Sequence, residues 1–207
     1  MLPKRRRIAA IILTALPGPA LAHHGMDDAT PGTLGEGIMS GFAHPVLGLD
    51  HLAFLLAAGL LASAAPRLGY RALAAFLTAG IAGALLHRAA IGLGPVEIGV
   101  AVSVLAAGGL LLALGRRTAI IASALAVPGF ALAGLFHGHA FAEAVAESPA
   151  AVFIAHLAAL TLAQAMITGA ALLAARAVAG FGNLPFRAAG LGATAVGAFA
   201  LVTAIGG

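Results

Sequence analysis

The chain has 207 residues, 61% of them hydrophobic and 9% charged, with a mean hydropathy of +1.06; no water-soluble domain of this size hides that much apolar surface in one core, so lipid is part of its solvent. The formal charge of +4 sets 11 Lys and Arg against 7 Asp and Glu, but Lys4, Arg5, Arg6 and Arg7 supply four of the cations and leave the rest balanced at seven against seven. Without a basic stripe, with no Trp and one Tyr, the chain has no nucleic-acid surface, and with no Cys any metal is held by nitrogen and oxygen.

The N-terminus reads as a secretory signal: the KRRR cluster, an apolar run over residues 8–16, and Ala20-Leu21-Ala22 as a small-x-small cleavage site. The run stops at Pro17-Gly18-Pro19, well short of the ~20 residues needed to cross a bilayer. Cleavage is expected after Ala22, so that the mature chain begins with His23 and His24. Residues 23–37 then form an outer tail with Asp27 and Asp28, and residues 38–207 a membrane domain.

Apolar stretches broken by Arg, Pro or Glu predict six spans, near 38–62, 70–90, 95–114, 118–138, 150–174 and 186–205. Each approaches the length that crosses ~30 Å of hydrocarbon at ~1.5 Å per residue. With the mature N-terminus outside, the inner connections carry Arg67 and Arg71, then Arg116 and Arg117, then Arg176 and Arg187. The outer segments carry only Arg88, with Asp27, Asp28, Glu36, Glu143 and Glu147, as the positive-inside rule requires. The expected fold is therefore all-α and polytopic, in a bacterial inner membrane with both mature ends on the periplasmic side. The 28 glycines suit close helix contacts, Gly37 and Gly41 forming a GxxxG; Gly108-Gly109 and Pro128-Gly129 also fall inside spans.

Ionisable groups at membrane depth are expensive and by default functional candidates. On this topology all eight histidines lie outside or in the outer half of a span: His23, His24, His44, His51, His87, His137, His139 and His156. The first cluster is His44-Pro45-Val46-Leu47-Gly48-Leu49-Asp50-His51. On a straight helix its ends stand ~10.5 Å apart and Asp50 lies ~100° from His51, so the three bind one ion only if the helix breaks. Pro45 and Gly48 predict such a break, folding His44 back toward Asp50 and His51.

The second cluster is Phe136-His137-Gly138-His139-Ala140-Phe141-Ala142-Glu143. His139 and Glu143 share a helical face, and His137 points away from them unless Gly138 ends the helix, so either histidine is open as the ligand. His87 beside Arg88 reads as an interfacial pair, Glu97 as a helix-start carboxylate or pathway residue, and His156 and Gln164 as neighbours on one face of the fifth span. Imidazole with carboxylate suits borderline ions such as Ni²⁺, Co²⁺, Zn²⁺ or Fe²⁺.

Three stretches carry a resemblance: HPVLGLDH in the first mature span, PVEIGVAVSV opening the third and FHGHA closing the fourth. Over nearly its whole length the chain resembles the HupE/UreJ family of bacterial membrane proteins. The resemblance implies a nickel or cobalt permease serving hydrogenase or urease maturation, its His, five residues, Asp-His motif falling on His44, Asp50 and His51. The family's Phe-His-Gly motif and following Glu fall on Phe136, His137, Gly138 and Glu143. The chain departs from the family at Gln164, near where relatives carry a histidine.

The expected function is a permease without a prosthetic group. His23, His24, Asp27 and Asp28 attract the ion, and His44, Asp50, His51, His137, His139 and Glu143 strip part of its water. No GxxxxGK[ST] exists and Lys4 is the only lysine, which excludes a P-loop ATPase. The alternative is an intramembrane His/Asp metalloenzyme of hydrolase type, against which stand the absence of HExxH and of a GxSxG elbow. A membrane metal sensor would lack any soluble output domain.

Overall fold

The computed structural model describes residues 30–64, 66–115 and 122–206. The signal segment, His23, His24, Asp27, Asp28, Arg116 and Arg117 lie outside the described residues. Among those described, every regular element is helical: α1 Leu34–Leu47, α2 Leu49–Ser63, α3 Pro66–Arg88, α4 Val96–Leu114, α5 Ala122–Ala142, α6 Ala150–Ala177 and α7 Leu184–Gly206. Short 3-10 turns follow α5 (Glu143–Val145) and α6 (Val178–Phe181).

Among the described residues four helices, Arg67–Arg88 within α3, α4, α6 and α7, are long and apolar enough to cross a membrane, and α1 with α2 make a fifth if that bent pair counts as one span. Large apolar side chains point outward along them, among them Ile154, Met166, Leu173, Leu191 and Val202, a distribution that fits lipid contact rather than water. Inside, Phe54, Leu55, Phe76, Val104, Leu111, Leu172 and Phe186 form one buried cluster.

The helices pair as α3 with α5, α4 with α7, and α1 and α2 with α6. Small residues set these pairings. The predicted GxxxG does pack: a methyl on Gly37 would meet the Val152 side chain at 2.9 Å and one on Gly41 the Ala159 methyl at 2.8 Å, both on α6. Between α3 and α5 the backbones approach so closely that a Cβ on Gly134 would strike the Phe76 carbonyl, and one on Gly138 the Gly80 carbonyl.

Two local features differ from the sequence expectation, and one alternative it left open is decided. α1 begins at Leu34, earlier than predicted, because Thr33 and Glu36 form a capping box: Glu36 N–H donates to Thr33 Oγ1 at 3.3 Å and Thr33 N–H to Glu36 Oε2 at 3.1 Å. Pro45 does not break its helix; it lies within α1, and the chain turns at Gly48, with α1 and α2 at 76°. Nor does Gly138 end α5, which continues to Ala142 with Gly138 packed on α3 rather than acting as a C-cap. His137, His139 and Phe141 are therefore all inside one helix.

Candidate functional site

The end of α3, the end of α5 and the start of α6 lie at one end of the bundle, and ring contacts join His44 and His51, near the α1–α2 bend, to the same region. In α5, His137 and His139 are two residues apart, ~200° around the helix axis. Each therefore faces a different neighbour, and each meets a second histidine there.

His137 faces α2, where its Nδ1 lies 2.8 Å from Nδ1 of His51, a residue 86 positions away in sequence. Its Nε2 is 2.9 Å from Ser103 Oγ on α4, and that hydroxyl donates its single hydrogen to the Val100 carbonyl at 2.7 Å. The tautomer follows from this. Ser103 has only a lone pair left for His137, so His137 carries its proton on Nε2 and accepts at Nδ1 from the His51 Nδ1–H. The imidazole is fully buried, with ring centroids of Phe54 at 4.5 Å, Phe76 at 5.8 Å and Phe141 at 6.3 Å. Such an aromatic box excludes water and leaves the ring no alternative polar partner beyond the two it has.

Phe141 stands among the first-cluster histidines, 4.1 Å from the His51 ring and 5.3 Å from the edge-on His44 ring. His44 also faces His156 at 6.2 Å. His156 is buried in α6, and neither of its ring nitrogens has a hydrogen-bond partner. Asp50 lies in the first turn of α2, where its Oδ1 accepts from the His51 N–H at 2.8 Å and its charge suits the helix N-terminus. The bend at Gly48 makes room for this: a Cβ there would sit 2.7 Å from His51 Cδ2 and 3.4 Å from Asp50 Oδ1.

His139 faces α3. Its Nδ1 lies 3.1 Å from Nδ1 of His87, and its Nε2 donates to the Ile91 carbonyl at 3.1 Å. Glu143 is exposed in the 3-10 turn just beyond. Gln164 is buried farther along α6, and Glu97 is exposed in the first turn of α4.

Among the described residues, no three His, Asp or Glu side chains converge on a metal-sized point. His44, His51 and His137 are brought together around Phe141, while His139 is turned away from them to His87. Sequence reasoning missed Ser103 and Phe141. Ser103 had a signal, a hydroxyl in an otherwise apolar span within PVEIGVAVSV; Phe141 had none, because an aromatic in a membrane helix is ordinarily packing.

His137 and His139 are each oriented by a bond from the second ring nitrogen, to Ser103 and to the Ile91 carbonyl, the kind of contact that holds a metal-ligating histidine in place. The family model described as HupE / UreJ protein matches residues 11–200. No curated protein and no solved structure gives a significant match. The family match spans the bend with its HPVLGLDH stretch, the Ser103 helix and both histidine pairs, and the chain belongs to the HupE/UreJ family.

Proposed function

We propose that the chain is a secondary permease, without ATP hydrolysis, that carries a divalent transition-metal ion into the cell, Ni²⁺ first and Co²⁺ second. The observation that carries the reading is the His51–His137 pair, two imidazoles from distant motifs with Nδ1 atoms 2.8 Å apart. Two nitrogens each ~2.05 Å from one ion at a right angle are ~2.9 Å apart, so the facing nitrogens already have the spacing of adjacent ligands. For both to hold one ion, the His51 proton must move from Nδ1 to Nε2, which leaves a neutral imidazole with its lone pair toward the ion. Ser103 keeps His137 oriented, and water completes the shell, with His44 and Asp50 required to move in if they are to join it, since no third such side chain converges on the pair among the described residues.

The wider scheme has the signal peptide (1–22) removed and six spans in the inner membrane with both mature ends outside. The tail residues His23, His24, Asp27 and Asp28 gather the ion, and His139 and Glu143 receive it at the rim. His156, Gln164 and Glu97 line its route. An inside-negative potential favours entry of a dication by ~4.6 kcal/mol per ~100 mV, enough to drive uptake without a coupled ion. The family name supports a link to hydrogenase or urease maturation.

The test is ⁶³Ni²⁺ uptake into proteoliposomes holding the full chain under an imposed inside-negative potential. Accumulation that is lost in His51→Ala and in His137→Ala supports the permease. A folded chain that accumulates neither Ni²⁺ nor Co²⁺ removes it.

A further inference from the structure

The second histidine pair is built on the same plan as the first, with different elements. His87 from α3 and His139 from α5, 52 residues apart, bring their Nδ1 atoms to 3.1 Å. That spacing falls between the ~2.9 Å of nitrogens at right angles on one ion and the ~3.4 Å of a tetrahedral pair. The Ile91 carbonyl accepts from His139 Nε2, so that nitrogen holds the proton and Nδ1 faces His87 with its lone pair.

The backbone that supplies this carbonyl is strained. After α3 the chain turns back with Ala90 N–H donating to the His87 carbonyl at 2.8 Å and Ile91 N–H to the Leu86 carbonyl at 2.9 Å. Ala90 takes the left-handed position of this cap at φ 56°, the one described non-glycine residue with positive φ. A residue with a Cβ costs ~1–2 kcal/mol there, and helix caps ordinarily use Gly. The strained turn is what sets the Ile91 carbonyl over His139, in keeping with the clustering of backbone strain at functional sites.

Arg88, the neighbouring cation, is turned away from the pair. Its Nη1 donates to the carbonyls of Ala146 and Ser148 at 3.2 and 3.1 Å, and its guanidinium lies 4.5 Å over the Phe153 ring. Ser148 in turn donates to the Pro31 carbonyl at 2.8 Å. Arg88 thus clamps the loop after α5 to the end of α3.

We infer that His87 and His139 form a second, two-imidazole binding station for a divalent transition-metal ion, separate from the His51–His137 pair, with water completing the shell. The inference rests on the permease reading for its role, as the first stop of the ion, but not for its existence. Because His137 and His139 lie on opposite sides of α5, the two stations share a helix without sharing a ligand.

The experiment counts Ni²⁺ ions by equilibrium dialysis on the full chain in nanodiscs, purified without a histidine tag and with His23→Ala and His24→Ala in every version. The expected result is two ions per chain in the reference and one in His87→Asn, whose amide still donates to His139 Nδ1 and so preserves the packing. His51→Ala is also expected to retain one ion, and X-ray absorption on that ion is expected to find two imidazoles. A reference chain that binds one ion or none, His87→Asn still binding two, or an oxygen-only shell in His51→Ala overturns the inference. Uptake assays separate it from the permease: two ions bound without uptake overturns transport and leaves the station, while uptake with a single ion bound does the reverse.

Discussion

Replacing Ser103 with alanine tests the tautomer argument without touching a proposed ligand. The hydroxyl accepts from His137 Nε2 at 2.9 Å inside a box of Phe54, Phe76 and Phe141. In Ser103→Ala the buried Nε2–H has no partner, at ~1–3 kcal/mol. The ring escapes by moving its proton to Nδ1, the nitrogen that faces His51, and an ion must then drive it back. The expected result is Ni²⁺ affinity lowered by ~10–100-fold, the usual effect of losing an orienting partner, or ~1.4–2.7 kcal/mol. Ser103→Thr keeps the hydroxyl and is expected to bind nearly as the parent does. Affinity is read by competition with a chromophoric chelator, in both the parent and a His137→Ala background. An unchanged affinity in Ser103→Ala, or an equal loss in both backgrounds, refutes the orienting role.

Gly138→Ala forces a methyl into the Gly80 carbonyl at the α3–α5 contact, and overpacking of this kind lowers stability by ~1–3 kcal/mol; a thermal midpoint in detergent equal to the parent's would contradict the packing. Gly48→Ala sets a Cβ 2.7 Å from His51 Cδ2 and favours fusing α1 to α2. Initial Ni²⁺ uptake is expected to fall at least roughly tenfold, equivalent to ~1.4 kcal/mol, and parental uptake would show that the bend does not position His51. His156→Leu removes a buried imidazole with neither nitrogen partnered. It is expected to raise stability by ~1 kcal/mol or more while reducing uptake; a less stable variant with full uptake would mark His156 as packing alone.

How much of this was legible in the sequence depends on the range of the interaction. The all-helical, apolar character, four or five of the six expected spans, the GxxxG contact and the break within HPVLGLDH are local, written in composition and in the residues that bend a helix. The position of the break was not, because Pro45 lacks only one N–H near the end of α1 and is tolerated there, whereas Gly48 must also clear the His51 ring. Gly138 is open in the sequence for a similar reason. In isolation it is a helix terminator, and only the approach of α3 makes the missing Cβ a packing requirement instead. The same limit governs the two histidines beside it. Their spacing of two already states that they face opposite ways and cannot chelate one ion from a continuous helix. It cannot state that α2 waits on one side with His51 and α3 on the other with His87, since helix pairing is decided by glycine contacts scattered over the chain. The periodicity thus reduced the choice to one histidine or the other, and the neighbours gave each of them a partner.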